Sequence, residues 1–277
     1  MAIAAALATL VCAAPAIAVI AFALSPGNAS LTLDTALLRD GAFGTLALVL
    51  VGGGGAVLLG ASAAWLVSRC TFPGRGLFQW LLVVPLAAPS YVLAYAYASF
   101  SWAGGVSPVP VAGLWGAAFI YAVGLYPYVY LSARAAFESQ SSTAFEAARS
   151  LGARPVRVFW RVALPLARPG IAAGAALACM EIAADYGAAQ HFGLTTLSTA
   201  VFRAWYAHAN AHAALQIAAV LLAAALVFLL LERRARGRAA FTEAATRRHP
   251  SPRYALKPLA SAGALMPELA PMAMPEQ

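Results

Sequence analysis

Six apolar runs alternate with short polar intervals along this chain, at about residues 2–24, 42–67, 77–100, 111–137, 170–189 and 213–231. Each reaches the length of about 18 residues that crosses a bilayer as a helix. The pattern predicts six spanning helices. It divides the chain into a first helix with an outer loop (1–41), a core of five helices (42–232) and a tail (233–277) that is basic, then rich in Ala, Pro and Met. Such a tail is expected to be largely disordered. The first run has small residues at Ala14, Ala16 and Ala18 that suit signal-peptide cleavage, but no basic stretch precedes it and it is long for a signal core. A retained helix is the expectation.

Within the second run Gly52, Ala56, Gly60 and Ala64 recur every four residues. Small residues so spaced form a smooth stripe against which another helix packs closely, which matters where lipid removes the hydrophobic drive for association. Pro85 and Pro89 fall in the third run and Pro127 in the fourth, so both helices are expected to kink or break locally. A link rich in Gly and Pro, 101–110, separates them.

Composition supports lipid as the solvent: 62% of the 277 residues are hydrophobic and 10% charged, against about a quarter charged in an ordinary soluble domain. A net charge of +8 raises the question of nucleic acid. Its placement answers it. All but one of the 18 basic residues are Arg, scattered through short loops and the tail. With the amino terminus inside, sixteen of them face the cytoplasm and only Arg39 and Arg203 lie outside. The positive-inside rule therefore predicts a multi-pass protein with both termini cytoplasmic and no nucleic-acid partner. Cys12, Cys70 and Cys179 have no paired spacing, so no disulfide framework or metal cluster is expected. They read as small apolar packing residues.

One inner loop, 143–169, carries strong internal order. Thr143 and Glu146 stand at capping-box spacing and predict a short helix start. Gly152 supplies a stop, and Pro155 suits the first turn of a second helix expected to end before Pro165. On that second helix Arg154, Arg157 and Arg161 share a face, with Val156, Phe159, Trp160 and Ala163 over much of the rest. A docking knob for another protein and an amphipathic helix on anionic lipid fit this pattern equally well.

The letters Glu146-Ala147-Ala148, then Gly152, then Val162-Ala163-Leu164-Pro165 resemble the EAA loop of ABC importer permeases, with Val where Ile is commoner. The resemblance implies an all-α integral membrane protein of the type I importer fold, a six-helix bundle in the bacterial inner membrane. In that family the loop forms a coupling helix that fits a cleft on a separate ATPase. Glu146, Ala147, Ala148, Gly152, Val162, Leu164 and Pro165 would accordingly make the ATPase contact. The implied partners are an ABC ATPase dimer, a periplasmic substrate-binding protein, a second permease half and the bilayer itself. The chain lacks a Gly-x-x-x-x-Gly-Lys loop, since its only lysine, Lys257, precedes Pro258. ATP is thus expected to be used by the partner, with no cofactor on this chain and no catalysis by it.

The stretch MEIAADYGAAQHFGLTTLSTAVFRAWY, from Met180, together with the EAA loop, resembles the ferric-iron branch of these permeases. That implies iron transport, with thiamine, sulfate, polyamine or phosphonate as alternatives. Glu181 and Asp185, four apart on the fifth helix, read either as a cation pathway or as structural hydrogen-bonding groups. Counting from Gly170 places Glu181 near mid-bilayer. His208 and His212 have the i, i+4 spacing of some metal sites, but lack a third ligand nearby, so no metal site is expected. Tyr91, Tyr95, Tyr121, Tyr126, Tyr128 and Tyr130 read as interface anchors and packing residues.

Two rivals come from other classes. An ion-coupled secondary transporter or channel would use Glu181 and Asp185 for coupling, and a membrane enzyme would gather Asp185, His191 and His208 around a metal. Neither accounts for the EAA spacing. The ferric-iron branch usually fuses two six-helix halves, and this chain has one, so the reading stands between a half that pairs with itself or a sister chain and a piece of a longer product.

Overall fold

The computed structural model describes residues 2–25, 35–102, 112–140, 155–237, 254–255 and 270–271. Its helices are α1 (Ala2–Leu24), α2 (Thr35–Arg69), α3 (Arg75–Leu81), α4 (Ser90–Trp102), α5 (Gly113–Glu138), α6 (residues 155–184), α7 (Gly187–His191), α8 (Leu197–Phe202) and α9 (Ala211–Gly237). Four of them, α2, α5, α6 and α9, are long and apolar enough to cross a membrane. The broken pair around Pro85 and Pro89 makes a fifth if counted as one span, while the stretch Ala13–Leu24 of α1 falls among the shorter apolar helices. In the tail, Tyr254–Ala255 pairs in parallel with Cys70–Thr71 and antiparallel with Ala270–Pro271; the rest of the tail lies outside the described residues.

The prolines act unequally. Between α3 and α4 the chain passes through a short 3₁₀ turn, Val84–Ala87, and Ala88 is extended, because Pro85 and Pro89 cannot donate to a continuing helix. Pro127, by contrast, sits inside an unbroken α5. The second helix of the inner loop does not end before Pro165 as expected. It runs on through a π turn, Phe159–Ala163, in which the N–H of Leu164 reaches back to the carbonyl of Phe159. Widening the turn there lets the helix continue past a residue with no N–H of its own. One helix thus joins the loop's second limb to the fifth span.

The chain divides into two compact units. The first comprises Met1–Gly52, Ser90–Ile120 and Cys179–Leu229. Its core sets Leu37, Leu38 and Ala42 of α2 against Leu197, Ala200 and Ala204 of the α8 region and Ala213, Ala214 and Ile217 of α9. Beside this lies a buried polar knot. The Thr45 hydroxyl donates to Gly41 O and accepts from the Leu197 N–H, both at 2.8 Å, while Thr196 and Thr199 cap α8 reciprocally. Gly41 and Gly44 permit the approach, since a Cβ on either would press on the backbone of Thr195 or Thr196. Thr45→Val, equal in volume, leaves the Leu197 N–H without its acceptor. It is expected to destabilise the fold by about 1–3 kcal/mol. Thermal melts of the detergent-purified protein check this, with Thr45→Ser retaining the wild-type midpoint.

The second unit comprises Gly53–Pro89, Tyr121–Ala178 and Leu230–Gln277. Here α5 is held between α2 and α6. A Cβ on Gly60 would lie 2.6 Å from Val129 Cβ and 2.7 Å from Tyr126 O, and one on Gly174 would lie 2.6 Å from Val129 Cα. The stripe read from the sequence is thereby placed: Ala56 and Ala64 are fully buried, and Gly60 meets the α5 backbone. Tyr121 and Tyr130 are packing residues, fully buried, whereas Tyr91 and Tyr95 are exposed. Buried Cys70 is a free thiol pushed above its ordinary pKa by desolvation, partly offset by Arg75.

Candidate functional site

The base of the second unit is where the inner loop returns to the bundle. Of the loop's expected contact residues, Glu146, Ala147, Ala148 and Gly152 lie outside the described residues, as do Thr143 and the first limb. Val162, Leu164 and Pro165 are described and half-buried. They flank Ala163, which is fully buried with Val158 and Ala167 against Ala64 and Val67 of α2 and Tyr130, Ala133 and Phe137 of α5. Trp65 closes this cluster, its ring 5.4 Å from Phe137 and 4.8 Å from Phe159. Arg157, Trp160, Arg161 and Arg168 stay exposed on the other side of the limb. Packing and polarity therefore separate onto opposite faces, as the amphipathic pattern requires.

A polar group missed from the sequence lies under this limb. Arg69, one of the sixteen basic residues that loop-charge counting assigns to the cytoplasmic side, is 2% exposed. Its guanidinium donates to Phe137 O at 2.5 Å and to Gln140 Oε1 at 3.3 Å. Phe137 belongs to the last turn of α5, whose carbonyls have no intrahelical partner, so a cation from α2 is a fitting cap. Gln140 in turn donates from Nε2 to Ala163 O at 2.9 Å. Arg75 also turns inward, donating to Val67 O at 2.6 Å. The signal in the sequence is position: an arginine just beyond the end of an apolar run is well placed to reach helix-end carbonyls.

In the first unit, Glu181 does not stand mid-helix. Because α6 begins well before Gly170 and ends at Ala184 rather than at 189, Glu181 lies three residues from the helix end, with its side chain exposed. Asp185 follows that end, and its N–H donates to Glu181 O at 3.0 Å. The Asp185 carboxylate accepts from the Ala188 N–H at 3.2 Å and its carbonyl from the Ser198 hydroxyl at 2.7 Å. Those bonds order the α6–α7 turn, a structural use of Asp185. His208 and His212 do not share a helical turn, since Ala209 between them has φ of +48° and α9 starts only at Ala211. Among the described residues, no three His, Cys, Asp or Glu side chains are grouped to hold a metal ion. Tyr186, Phe202 and Tyr206 form a stacked row, with centroids 4.1 and 6.0 Å apart.

Residues 56–235 match the family described as binding-protein-dependent transport system inner membrane component. Among individual proteins, the chain is 27% identical over 178 residues to the Fe(3+)-transport system permease protein FbpB 2 of Haemophilus influenzae, covering 64% of this chain and 34% of that one. It is 35% identical over 138 residues to the molybdenum transport system permease protein ModB of Escherichia coli, covering 45% of this chain and 58% of that one. A sulfate transport system permease protein, CysT of Synechococcus elongatus, is 34% identical over 116 residues, covering 39% of this chain and 42% of that one. The chain thus spans roughly a third to three fifths of these relatives' lengths. Two solved structures share the fold. An inward-facing MetNI methionine ABC transporter chain aligns with TM-score 0.53 at 20% identity, over 76% of this chain and 97% of that one. A bacterial ABC transporter chain involved in alginate import aligns with TM-score 0.57 at 18% identity, over 86% and 94%.

Proposed function

The chain belongs to the binding-protein-dependent transport system inner membrane components, and from that membership we propose that it is the permease subunit of an ATP-binding-cassette importer. The observation that carries the reading is the extent of the family match, 56–235, which takes in the whole inner loop together with α2, from Ala56 onward, and the later spans. An external binding protein delivers substrate, closure of an ATPase dimer opens the bundle outward, and hydrolysis on that partner resets it. The site is the inner membrane, with both termini cytoplasmic. A second permease half, this chain again or a sister, completes the pathway.

Glu146, Ala147, Ala148, Gly152, Val162, Leu164 and Pro165 form the ATPase-facing loop in this proposal. The burial of Ala163 between Val162 and Leu164 supports it, because force on the exposed face of the limb then reaches α2 and α5 through packed side chains. The cargo is a small inorganic ion. Ferric iron is our first assignment, supported by the 178-residue similarity to an Fe(3+) permease and by the exposed carboxylate of Glu181. Oxyanion transport is the second reading, favoured by the higher identity to a molybdenum permease.

The test is uptake into proteoliposomes holding the chain with its co-purifying ATPase and binding protein, offered labelled ferric ion, molybdate and sulfate in turn. ATP-dependent accumulation of ferric ion alone is expected, together with a fall when Glu181→Gln is introduced. Accumulation of molybdate or sulfate moves the assignment to the second reading. Uptake that proceeds without ATP would replace the importer by an ion-coupled carrier.

A further inference from the structure

Three buried groups from three helices or their ends meet beneath the loop's return limb: Arg69 at the end of α2, Gln140 just beyond α5, and the Ala163 carbonyl at the end of the π turn in α6. Gln140 is the only one of the three that bonds to both others, accepting from Arg69 and donating to Ala163. Its amide has an acceptor oxygen and two N–H donors, so it suits this double role where a carboxylate, which only accepts, or an ammonium, which only donates, would not. The π turn matters too. Such turns loosen the regular i→i−4 ladder and mark places where a helix can change register, often at functional sites. Here the loosened turn is pinned from outside by a side chain.

Resting on the importer reading above, we infer that Gln140 is a positioning residue that locks the return limb of the coupling loop to the α2–α5 pair, so that limb and pair move as one body when the ATPase changes state. Apolar packing of Val158, Ala163 and Ala167 holds the limb in place at rest. Apolar contact is non-directional, so it holds the limb against the pair without by itself fixing the register of Ala163. A directional bond from Gln140 to Ala163 O fixes that register, and Arg69 keeps the Gln140 side chain from turning away.

The inference is tested by spin-label distances between Leu66→Cys, on α2, and Arg161→Cys, on the exposed face of the limb, after Cys12, Cys70 and Cys179 are changed to alanine. Measurements are made on the chain with its co-purifying ATPase, with and without ATP and vanadate. Two variants separate the effect from folding. Gln140→Glu keeps an acceptor for Arg69 but has no N–H for Ala163, and Gln140→Met keeps volume while losing both bonds. With wild-type Gln140 the distance is expected to be the same in both nucleotide states. In each variant it should match wild type without nucleotide and then shift by about 2 Å or more with ATP and vanadate, the size of helix translations at switching interfaces. ATP hydrolysed per ion imported should rise about fivefold in parallel, as loss of one buried hydrogen bond would bring about. A distance that already shifts in wild type, or one that stays constant in both variants, overturns the inference while leaving the importer reading intact. A wild-type chain that recruits no ATPase overturns both.

Discussion

Gly174→Leu is expected to cut recovery of folded protein sharply, and Gly60→Leu to come close to it. Val129 on α5 is approached from two sides, by Gly60 of α2 and by Gly174 of α6. At Gly174 an added Cβ collides with the Ser132 hydroxyl and lies 2.6 Å from Val129 Cα and 2.7 Å from Tyr128 O. These last two are backbone atoms, so no rotamer change relieves the contact; the helices must separate. Overpacking in a core costs roughly 1–3 kcal/mol when side chains can adjust. Backbone displacement on both flanks of α5 exceeds that, and whole folds are stable by only about 5–15 kcal/mol. Separation of α5 from α6 would also strip Ala163, Ala167 and Phe137 of the contacts that bury them. Fluorescence-detected size exclusion of a tagged chain should show the monodisperse peak falling about tenfold or more for Gly174→Leu, since a penalty of several kcal/mol consumes much of that stability margin and the unfolded remainder is cleared or aggregates. Gly54→Leu is the control, because a Cβ there meets nothing within 4 Å. An undiminished peak for Gly174→Leu would show that α5 and α6 pack less tightly than this.

The contrast between Gly60 and Gly174 shows how far the sequence could be read. Gly60 was found because it recurs with Gly52, Ala56 and Ala64 at one spacing, a signal that survives without knowing the partner helix. Gly170 and Gly174 share that four-residue spacing, but Pro165 and Pro169 beside a loop argue for a helix end there, so the pair falls in the first turn of the predicted run with no stripe leading into it. The π turn at Phe159–Ala163 removes the objection, and nothing in residue order announces a π turn. The same error displaced Glu181 from helix end to helix middle. Position along a span depends on where counting starts.

Burial of polar groups was harder still. Apolar runs and loop arginines are composition-level signals, strong because lipid penalises their violation. Arg69 obeys that rule in its place along the chain, yet it is sunk under Phe137 and Gln140, positions 68 and 71 residues away in sequence. The Thr45–Leu197 bond, 152 residues apart, is of the same kind. Such pairs are decided by which helices meet, which a single sequence leaves open. Asp185 shows the converse. Its spacing from Glu181 is real, but a carboxylate that caps the turn before α7 and a carbonyl that receives Ser198 leave it bound to the scaffold.

Loss of ATPase binding is the second large effect expected, from Gly152→Asp and, less completely, from Glu146→Lys. Both positions rest on the letters of the loop and on membership in the family rather than on described geometry. Gly152 follows a predicted helix and precedes the limb that begins at Pro155. A residue closing a helix there commonly takes a left-handed conformation that glycine alone adopts without strain. Aspartate at that position adds strain, bulk and a negative charge at the turn that the sequence predicts between the loop's two limbs. Glu146→Lys reverses a charge and removes the carboxylate that would cap the first limb, while the limb's buried contacts at Val158, Ala163 and Ala167 are untouched. Each variant chain should therefore fold and enter the membrane. ATPase retained on affinity-purified chain is expected to fall at least about tenfold for Gly152→Asp, or 1.4 kcal/mol of binding free energy, and by less for Glu146→Lys. Arg168→Ala, on the exposed face beyond the loop letters, serves as the control with retained binding. Equal ATPase recovery with wild type and Gly152→Asp would remove the loop from the interface and return the limb, with its exposed Arg157, Trp160 and Arg161, to the rival reading of a helix lying on anionic lipid.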